Sequence, residues 1–94
     1  MEKFQIDSFD ELFEAILKLD SLEDCRKFFE DVCTIKELQD VTQRLEVARL
    51  LKQGLNYQAI SKATGASTAT ISRVNKCLNY GSGGYNLVLG GKEN

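Results

Sequence analysis

The sequence predicts an all-α fold, and three observations support this prediction. Apolar residues recur at the three- and four-residue spacing of helices along residues 1–80, and no strand-like alternation interrupts them. The chain contains no proline, the residue that most often breaks a helix. Three segments begin with serine or threonine followed three residues later by an acidic side chain, which is the pattern of a capping box. Together these patterns predict consecutive helices.

The first two helices are predicted to begin after Ser8 and Ser21. Ser8 is followed by Glu11, and Ser21 by Asp24, so each pair can cap a helix N-terminus. Each pair opens one apolar stripe with helical spacing, and the two stripes are Leu12, Phe13, Ile16, Leu17 and Leu19, then Leu22, Cys25, Phe28, Phe29 and Val32. Stripes of this kind indicate amphipathic helices that bury one face.

The longest helix is predicted over about residues 35–53. Thr34 and Glu37 form its capping box. Gly54 fits its C-terminal cap, because glycine readily adopts the left-handed backbone conformation found there. The apolar stripe of this helix comprises Ile35, Leu38, Val41, Leu45, Ala48 and Leu51, widened by Val47 and Leu50.

Two short helices are predicted next, joined by a turn at Gly65. Asn56 can cap the first, over about 57–63, and Ser67 can cap the second, which runs to about Asn79. Apolar side chains would meet across the turn while a small residue allows close approach, namely Ile60, Ile71, Val74 and Leu78 with Ser61 at the crossing. This spacing predicts a helix-turn-helix. The alternative interpretation is a plain helical hairpin with an incidental glycine.

Small polar side chains on the outward face of the second short helix indicate a surface that another molecule approaches closely. The DNA major groove is about 12 Å wide, and slim side chains let a helix backbone approach the base edges. A merely solvated helix would more often carry Glu, Lys and Gln. Residues 55–80 contain no acidic residue, which suits a phosphate-facing surface. The predicted DNA-binding residues are Gln58, Lys62, Ser67, Thr68, Ala69, Thr70, Ser72, Arg73 and Lys76.

Charge is unevenly distributed along the chain, although the net charge is only -2. Residues 1–43 hold five Lys/Arg and twelve Asp/Glu, a net charge of -7, and residues 44–94 hold seven and two, a net charge of +5. An isoelectric point near 5.1 argues weakly against nucleic-acid binding. Charges are screened within about 8 Å at physiological salt, so the basic half can still attract phosphates.

A chain of 94 residues predicts one domain, and dimerisation is a common remedy for a core of this size. We expect one helical domain over 1–80, in which 8–54 form dimerisation helices and 55–79 the helix-turn-helix. Residues 81–94 are predicted to be a flexible tail, with a "GSGGY" joint, an apolar "YNLVL" whose packing the sequence leaves open, and a disordered "GGKEN".

Other classes of protein are disfavoured by what the sequence lacks. No apolar run approaches the roughly 18 residues that span a bilayer, and the acidic N-terminus is unlike a signal peptide, so we expect a cytoplasmic protein. Cys25, Cys33 and Cys77 are odd in number and form no C-x-x-C pair, so we expect small buried hydrophobes. Without histidine, a metal-ligand cluster, a phosphate loop or a nucleophile–base pair, no catalytic or metal site is predicted.

Residues 34–78 resemble the tryptophan repressor family, most closely its small Gram-positive branch, the YerC-like proteins. The resemblance rests on "TIKELQDVTQRLEVARLLKQG" followed by "YQAISKATGASTATISRVNKCL". It implies an all-α dimer with interlocked N-terminal helices and a helix-turn-helix that reads a palindromic operator in double-stranded DNA, a docking mode for which the tryptophan repressor is a standard example. The apolar helices before Thr34 suit such a dimer, and we expect its shared core to use Phe13, Ile16, Leu17, Phe28, Phe29 and Leu45.

The resemblance also implies where the family's effector, tryptophan, would lie. Arg44 and Arg73 match the two arginines that flank the indole, and Thr34 matches a threonine of the site. Two positions depart from the family: Cys77 replaces a serine, and Val74 replaces a glycine that leaves room for the indole. Overpacking of this kind typically costs about 1–3 kcal/mol, and a thiol is a poor hydrogen-bonding group. We therefore expect DNA binding that needs no tryptophan or other cofactor.

Three functions are compatible with these sequence features. The first is a dimeric, sequence-specific repressor that occludes a promoter without tryptophan. The second is a tryptophan-responsive repressor. The third is a dimeric protein-interaction module that has lost DNA binding and presents its acidic half to a partner.

Overall fold

The structure, a computed structural model, describes residues 6–90, and the side chains from residue 9 onward. Within this range the chain is helical without strands, which confirms the predicted all-α class. The helices are α1 (Ile6–Ile16), α2 (Leu22–Val32), α3 (Ile35–Lys52), α4 (Tyr57–Thr64), α5 (Thr68–Tyr80) and α6 (Gly84–Leu89). None of the described helices is long and apolar enough to cross a membrane.

The chain divides into two compact units, and the division falls between Ile35 and Lys36. The sequence predicted one helical domain, with 8–54 assigned to dimerisation helices and 55–79 to the helix-turn-helix. In the structure α3 supplies Val47 and Ala48 to the same buried cluster as α4 and α5. Most of α3 therefore belongs with the helix-turn-helix.

The first unit contains α1 and α2, and its two predicted caps have different outcomes. The Ser21 hydroxyl accepts a hydrogen bond from the Asp24 main-chain N–H at 3.0 Å, as predicted for the N-cap of α2. Ser8, in contrast, lies inside α1, which already includes Ile6. An N-cap residue has non-helical backbone angles, so Ser8 is not the cap. The apolar periodicity continues upstream of Ser8, and this continuation explains the correction.

In the second unit, α3 ends at Gly54 through a Schellman motif. Gly54 has a φ of 90°, in the left-handed region. Its main-chain N–H donates to the Leu51 carbonyl at 3.0 Å, and the Leu55 N–H donates to the Leu50 carbonyl at 3.2 Å. The chain therefore turns sharply out of α3 at the predicted glycine and enters α4.

The core of the second unit joins α3, α4, α5 and the turn between the last two. Its fully buried side chains are Val47, Ala48, Ile60, Ala66, Ile71 and Val74. Around them pack the partly buried Leu50, Leu51, Leu55, Tyr57, Leu78, Tyr85 and Leu89. The predicted meeting of Ile60, Ile71 and Val74 is confirmed. This core fixes α5 relative to α3 and α4.

Residues 84–89 form a helix in the segment that the sequence predicted to be a flexible tail. Tyr85 and Leu89 pack against the core of the second unit, and Asn86 accepts a hydrogen bond from Lys52. Five residues, one of them the polar Asn86, are too few for periodicity to reveal a helix, so the correction comes from packing that local sequence does not show. The predicted disordered stretch, residues 91–94, lies outside the described residues.

Candidate nucleic-acid interface

The two helices of the candidate interface, α4 and α5, begin at the predicted N-caps. The Asn56 side chain accepts a hydrogen bond from the Ala59 N–H at 2.9 Å. The Ser67 hydroxyl accepts one from the Thr70 N–H at 3.1 Å. Each bond satisfies a main-chain donor that a helix start would otherwise leave without an intrahelical partner. Both short helices therefore start where local side-chain chemistry dictates.

The turn between α4 and α5 is closed by its own polar groups. Gly65 has a φ of 77°, in the left-handed region, where a residue with a side chain would be strained. The Ser61 hydroxyl donates to the Ala66 carbonyl at 2.9 Å. The Thr64 hydroxyl donates to the Ile60 carbonyl at 2.8 Å and accepts from the Ala66 N–H at 3.1 Å. These bonds fix the angle at which α5 leaves the turn.

Gln43 is a further residue that holds this turn, and sequence reasoning missed it. Its side-chain amide donates to the Thr64 carbonyl at 3.1 Å, and this hydrogen bond links α3 to the end of α4. The carbonyl belongs to the last residue of α4, where intrahelical partners run out. In the sequence Gln43 is an ordinary polar position between the apolar residues of α3, and no pattern distinguishes it.

The structure exposes the predicted DNA-facing side of the two helices. Ile71 and Val74 point into the core, so α5 presents its opposite side to solvent. The exposed members of the predicted set are Gln58 and Lys62 on α4, and Ser67, Thr68, Ala69, Ser72, Arg73 and Lys76 at the start of α5 and along it. The contact of these residues with DNA stays a prediction.

Ser67 and Thr70 differ from the rest of the predicted set because they bond to each other. Besides its capping bond, the Ser67 hydroxyl donates to the Thr70 hydroxyl at 3.2 Å. Thr70 is half-buried. Both side chains thus stabilise the first turn of α5, a role that was predicted only for Ser67.

Positive charge on this surface is not neutralised by neighbouring carboxylates. In the part of the chain that the structure describes, no hydrogen bond or ion pair engages Lys62, Arg73 or Lys76. Residues 55–80 contain no Asp or Glu that could supply one. Three basic residues of α2 and α3 behave differently, because they form the ion pairs Lys27–Glu23, Lys36–Asp40 and Arg49–Glu46. The face formed by α4 and α5 is therefore suited to attract an anion such as phosphate.

The residues expected to form an effector pocket do not all line one cavity of the second unit. A largely apolar cavity of about 600 Å³ lies among α3, α5 and α6, and Arg44 and Cys77 line it. The other lining residues are Val41, Leu45, Tyr85, Val88 and the segment 81–84. Val74 is instead 1% exposed within the core, and Arg73 is exposed on the outward face of α5. Thr34 precedes α3 at the end of the first unit.

The cysteines are less buried than the sequence predicted. Cys25 and Cys33 are half-buried, and Cys77 is exposed beside the cavity. The physical reason is that α2 has no fully buried residue, while Cys77 lies one helical turn beyond the buried Val74. Across residues 6–90, no group of three or more His, Cys, Asp or Glu side chains is arranged to hold a metal ion.

Comparison with known sequences identifies relatives along nearly the whole chain. A sequence profile of the Trp repressor protein matches residues 7–93. The chain is also 53% identical over 89 residues to the uncharacterized protein YerC of Bacillus subtilis (strain 168), and this alignment covers 95% of the chain and 86% of YerC. The match therefore extends past the helix-turn-helix to α1 and α2 on one side and α6 on the other.

Two solved structures share this fold. A TrpR-like protein from Eubacterium eligens ATCC 27750 superposes with a TM-score of 0.86 at 49% identity, covering 96% of both chains. A proposed Trp repressor from Staphylococcus aureus superposes with a TM-score of 0.83 at 47% identity, covering 93% of this chain and 92% of that chain. The sequence profile, the relative and the structures agree, and the chain belongs to the Trp repressor family.

Proposed function

We propose that this protein is a dimeric, sequence-specific DNA-binding repressor that occludes a promoter without requiring tryptophan. Membership of the Trp repressor family indicates a DNA-binding regulator rather than an enzyme. The observation that carries the finer proposal is the outward face of α5, which is slim, free of acidic side chains and held rigidly by the core behind it. A regulator of this kind would act in the cytoplasm.

The outward face of α5 supports direct reading of base edges. Thr68, Ala69 and Ser72 are small and exposed, so the helix backbone can enter a groove about 12 Å wide. Arg73 extends from the same face with a guanidinium that can bond both acceptors of a guanine. Lys62 and Lys76 add charges that can contact phosphates on either side and set the register. In this proposal α5 is the recognition helix.

Exposed apolar side chains on α2, on α3 and directly after α1 support a dimer. Leu17 is 82% exposed, Leu22 69% and Ile35 67% in the single chain. Soluble monomers rarely leave large apolar areas open to water. We propose that a second copy covers them in an interlocked core built from Phe13, Ile16, Leu17, Phe28, Phe29 and Leu45.

The burial of Val74 supports independence from tryptophan. In the family a glycine at this position leaves room for the indole, whereas here the valine side chain belongs to the buried core. In this proposal the valine takes the place that the indole would need, and its side chain packs on the inward face of α5. In this proposal Val74 holds that helix in its binding posture permanently.

Selection of genomic fragments with the purified full-length protein tests the proposal. A dimer with one recognition helix per subunit should recover palindromic sites whose half-sites lie about 34–36 Å apart, one turn of DNA. The Arg73→Ala variant serves as the matched control and should lose preference at one position of each half-site. Failure to enrich any fragment would instead favour the protein-interaction module, and an enriched site without a dyad would contradict the dimer.

Calorimetric titration of tryptophan, with and without the selected DNA, tests effector independence. We expect no saturable binding and no change in DNA affinity. Saturable micromolar binding that tightens the DNA complex would show a tryptophan-responsive repressor. The Val74→Gly variant should bind DNA more weakly than the wild type, and Val47→Ala, a change in the same core but on α3, is its control for general destabilisation.

A further inference from the structure

A polar cluster links the helices on either side of the helix-turn-helix. It comprises Lys52, Asn75, Asn79 and Asn86, which surround a small cavity of about 220 Å³ together with Leu51 and Leu78. Lys52 is the last residue of α3, directly before the turn into α4. Asn86 lies in α6, directly after the joint that follows α5. The cluster therefore stands at both the entrance and the exit of the helix-turn-helix.

One hydrogen bond in this cluster joins the entrance to the exit. The Lys52 ammonium group donates to the Asn86 side-chain oxygen at 2.6 Å, across 34 positions of sequence. The whole of α4, the turn and α5 lies between the two residues. A hydrogen bond with a charged donor is stronger than a neutral one, although this one lies at the solvent-exposed surface. This bond closes the loop that contains the recognition helix.

The C-terminal half of α5 has few other supports. Ile71 and Val74 anchor the first half in the core, but beyond Val74 only Leu78 packs against that core, as a partly buried residue. Tyr80, the last residue of α5, is 84% exposed. The position of these last turns therefore depends on the contacts that α6 makes with the core and with α3.

The joint before α6 does not fix the direction of that helix by itself. Residues 81–84 are Gly-Ser-Gly-Gly, and Gly83 adopts a φ of 90° with no atom within 4 Å of the place where a Cβ would lie. Glycine-rich joints allow many backbone directions. Tyr85 and Leu89 supply apolar contact with the core, and the Lys52–Asn86 bond adds a directional tie to α3.

We propose that the Lys52–Asn86 hydrogen bond is a latch that positions the recognition helix, with Asn86 as a positioning residue that does not touch DNA. The proposal rests on the proposed function for its effect on DNA binding, but the latch itself acts in the free protein. Lys52 makes a further interaction as well, so Asn86 offers the cleaner substitution.

Amide hydrogen exchange in the free full-length protein tests the latch without DNA. The Gly81 N–H, which donates to the Cys77 carbonyl at 2.9 Å, reports on the last turn of α5. In Asn86→Ala this amide should exchange about three- to tenfold faster, the factor expected for losing one side-chain hydrogen bond. Leu87→Ala is the matched control, because Leu87 lies next to Asn86 on α6 and is 87% exposed, so its loss should leave the Gly81 exchange rate unchanged. Asn86→Asp keeps an acceptor and should restore protection. Wild-type exchange in Asn86→Ala would overturn the latch.

DNA binding separates positioning from direct phosphate contact. Asn86→Ala and Lys52→Met should each weaken binding to the selected site by about three- to tenfold, and the double variant should be no weaker than the weaker single variant. The slope of affinity against salt should stay as in the wild type for Asn86→Ala. Weaker binding with a smaller slope in Lys52→Met, but wild-type binding in Asn86→Ala, would mean that Lys52 contacts phosphate and would overturn the proposal. Faster Gly81 exchange in a protein whose wild type binds no DNA would support the latch while refuting the proposed function.

Discussion

The two compact units of the chain differ in how far each completes a core of its own. In the second unit six side chains from α3, α4, α5 and the turn are fully buried. In the first unit, from Phe9 to Ile35, no side chain is fully buried. Among the described side chains of this unit, rings of neighbouring residues on one helix are in contact, such as the edge-to-face rings of Phe28 and Phe29, whose centroids lie 5.2 Å apart.

This difference suits two separate roles in the proposed function: the second unit binds DNA, and the first unit forms the dimer. The helix-turn-helix is held by contacts within the second unit, with α3 and α6 packed against it. The helices α1 and α2 have 11 residues each, and isolated helices shorter than about 12–15 residues are marginal in water. Their stability must come from apolar surface outside themselves. In the proposed dimer a second copy supplies that surface.

The largest expected effect is loss of core packing in the second unit. Ile71→Ala removes a fully buried side chain and should lower the free energy of unfolding by about 2–5 kcal/mol, independently of protein concentration. Urea titration followed by circular dichroism measures this change. The neighbouring exposed position provides the control, since Ser72→Ala should stay within about 0.5 kcal/mol of the wild type. Equal losses in the two variants would remove the distinction between the faces of α5.

A smaller effect of a different kind is expected in the first unit. Leu17 is largely exposed in the single chain, so Leu17→Ala should barely affect a monomer. In the proposed dimer it should weaken association by about 1.5–3 kcal/mol per buried leucine. Sedimentation over a range of concentrations measures the dissociation constant. Unchanged association would show that Leu17 lies outside the dimer core and that the exposed apolar surface there has another purpose.

Substitution of Arg73 tests whether the face of α5 that the core of the second unit supports binds DNA. Arg73→Ala should weaken binding to the selected site by about 1–3 kcal/mol and relax specificity at one base pair, without changing the unfolding midpoint. Lys62→Ala and Lys76→Ala should instead weaken binding to all sequences and reduce its salt dependence. Fluorescence anisotropy at several salt concentrations separates the two patterns. Wild-type affinity in Arg73→Ala would show that the assigned face is wrong.

The smallest expected effects come from the helix caps, which occur in both units and so compare them directly. Asn56→Ala and Ser21→Ala each remove one capping bond and should cost about 1 kcal/mol. The cost for Asn56 should be the same at all protein concentrations. The cost for Ser21 should depend on concentration, because in the proposed dimer a second copy covers the apolar face of α2. Thermal unfolding at two concentrations a hundredfold apart distinguishes these cases.

Sequence reasoning predicted the helix-turn-helix well because its determinants are local. Asn56, Gly65 and Ser67 each act through the nearest few main-chain groups, and the inward face follows from helical spacing. That spacing alone also predicts a buried Val74, although the family has a glycine there, and the structure confirms the burial. Caps, turns and apolar stripes of this kind can be read from a short window of sequence.

The features that sequence reasoning missed depend on contacts between distant residues. The amide of Gln43 reaches Thr64 across 21 positions, and Lys52 reaches Asn86 across 34. Neither pair leaves a periodic pattern. Helix α6 was missed for the same reason, because its six residues form a helix through the packing of Tyr85 and Leu89 against the core. The cavity beside Arg44 likewise exists only because α6 forms one of its walls.

The closeness in sequence of the residues that build the core of the second unit also bears on how the chain folds. Ile60 and Ile71 are separated by a single short turn, so bringing them together costs little loop-closure entropy. Contacts of this local kind form quickly, whereas covering α1 and α2 by a second copy is a bimolecular step. A newly synthesised chain would therefore acquire its reading surface first, as a monomer. In the proposed dimer, the two-fold symmetry needed to bind a palindromic site would form later, at a rate set by the concentration of the protein in the cell.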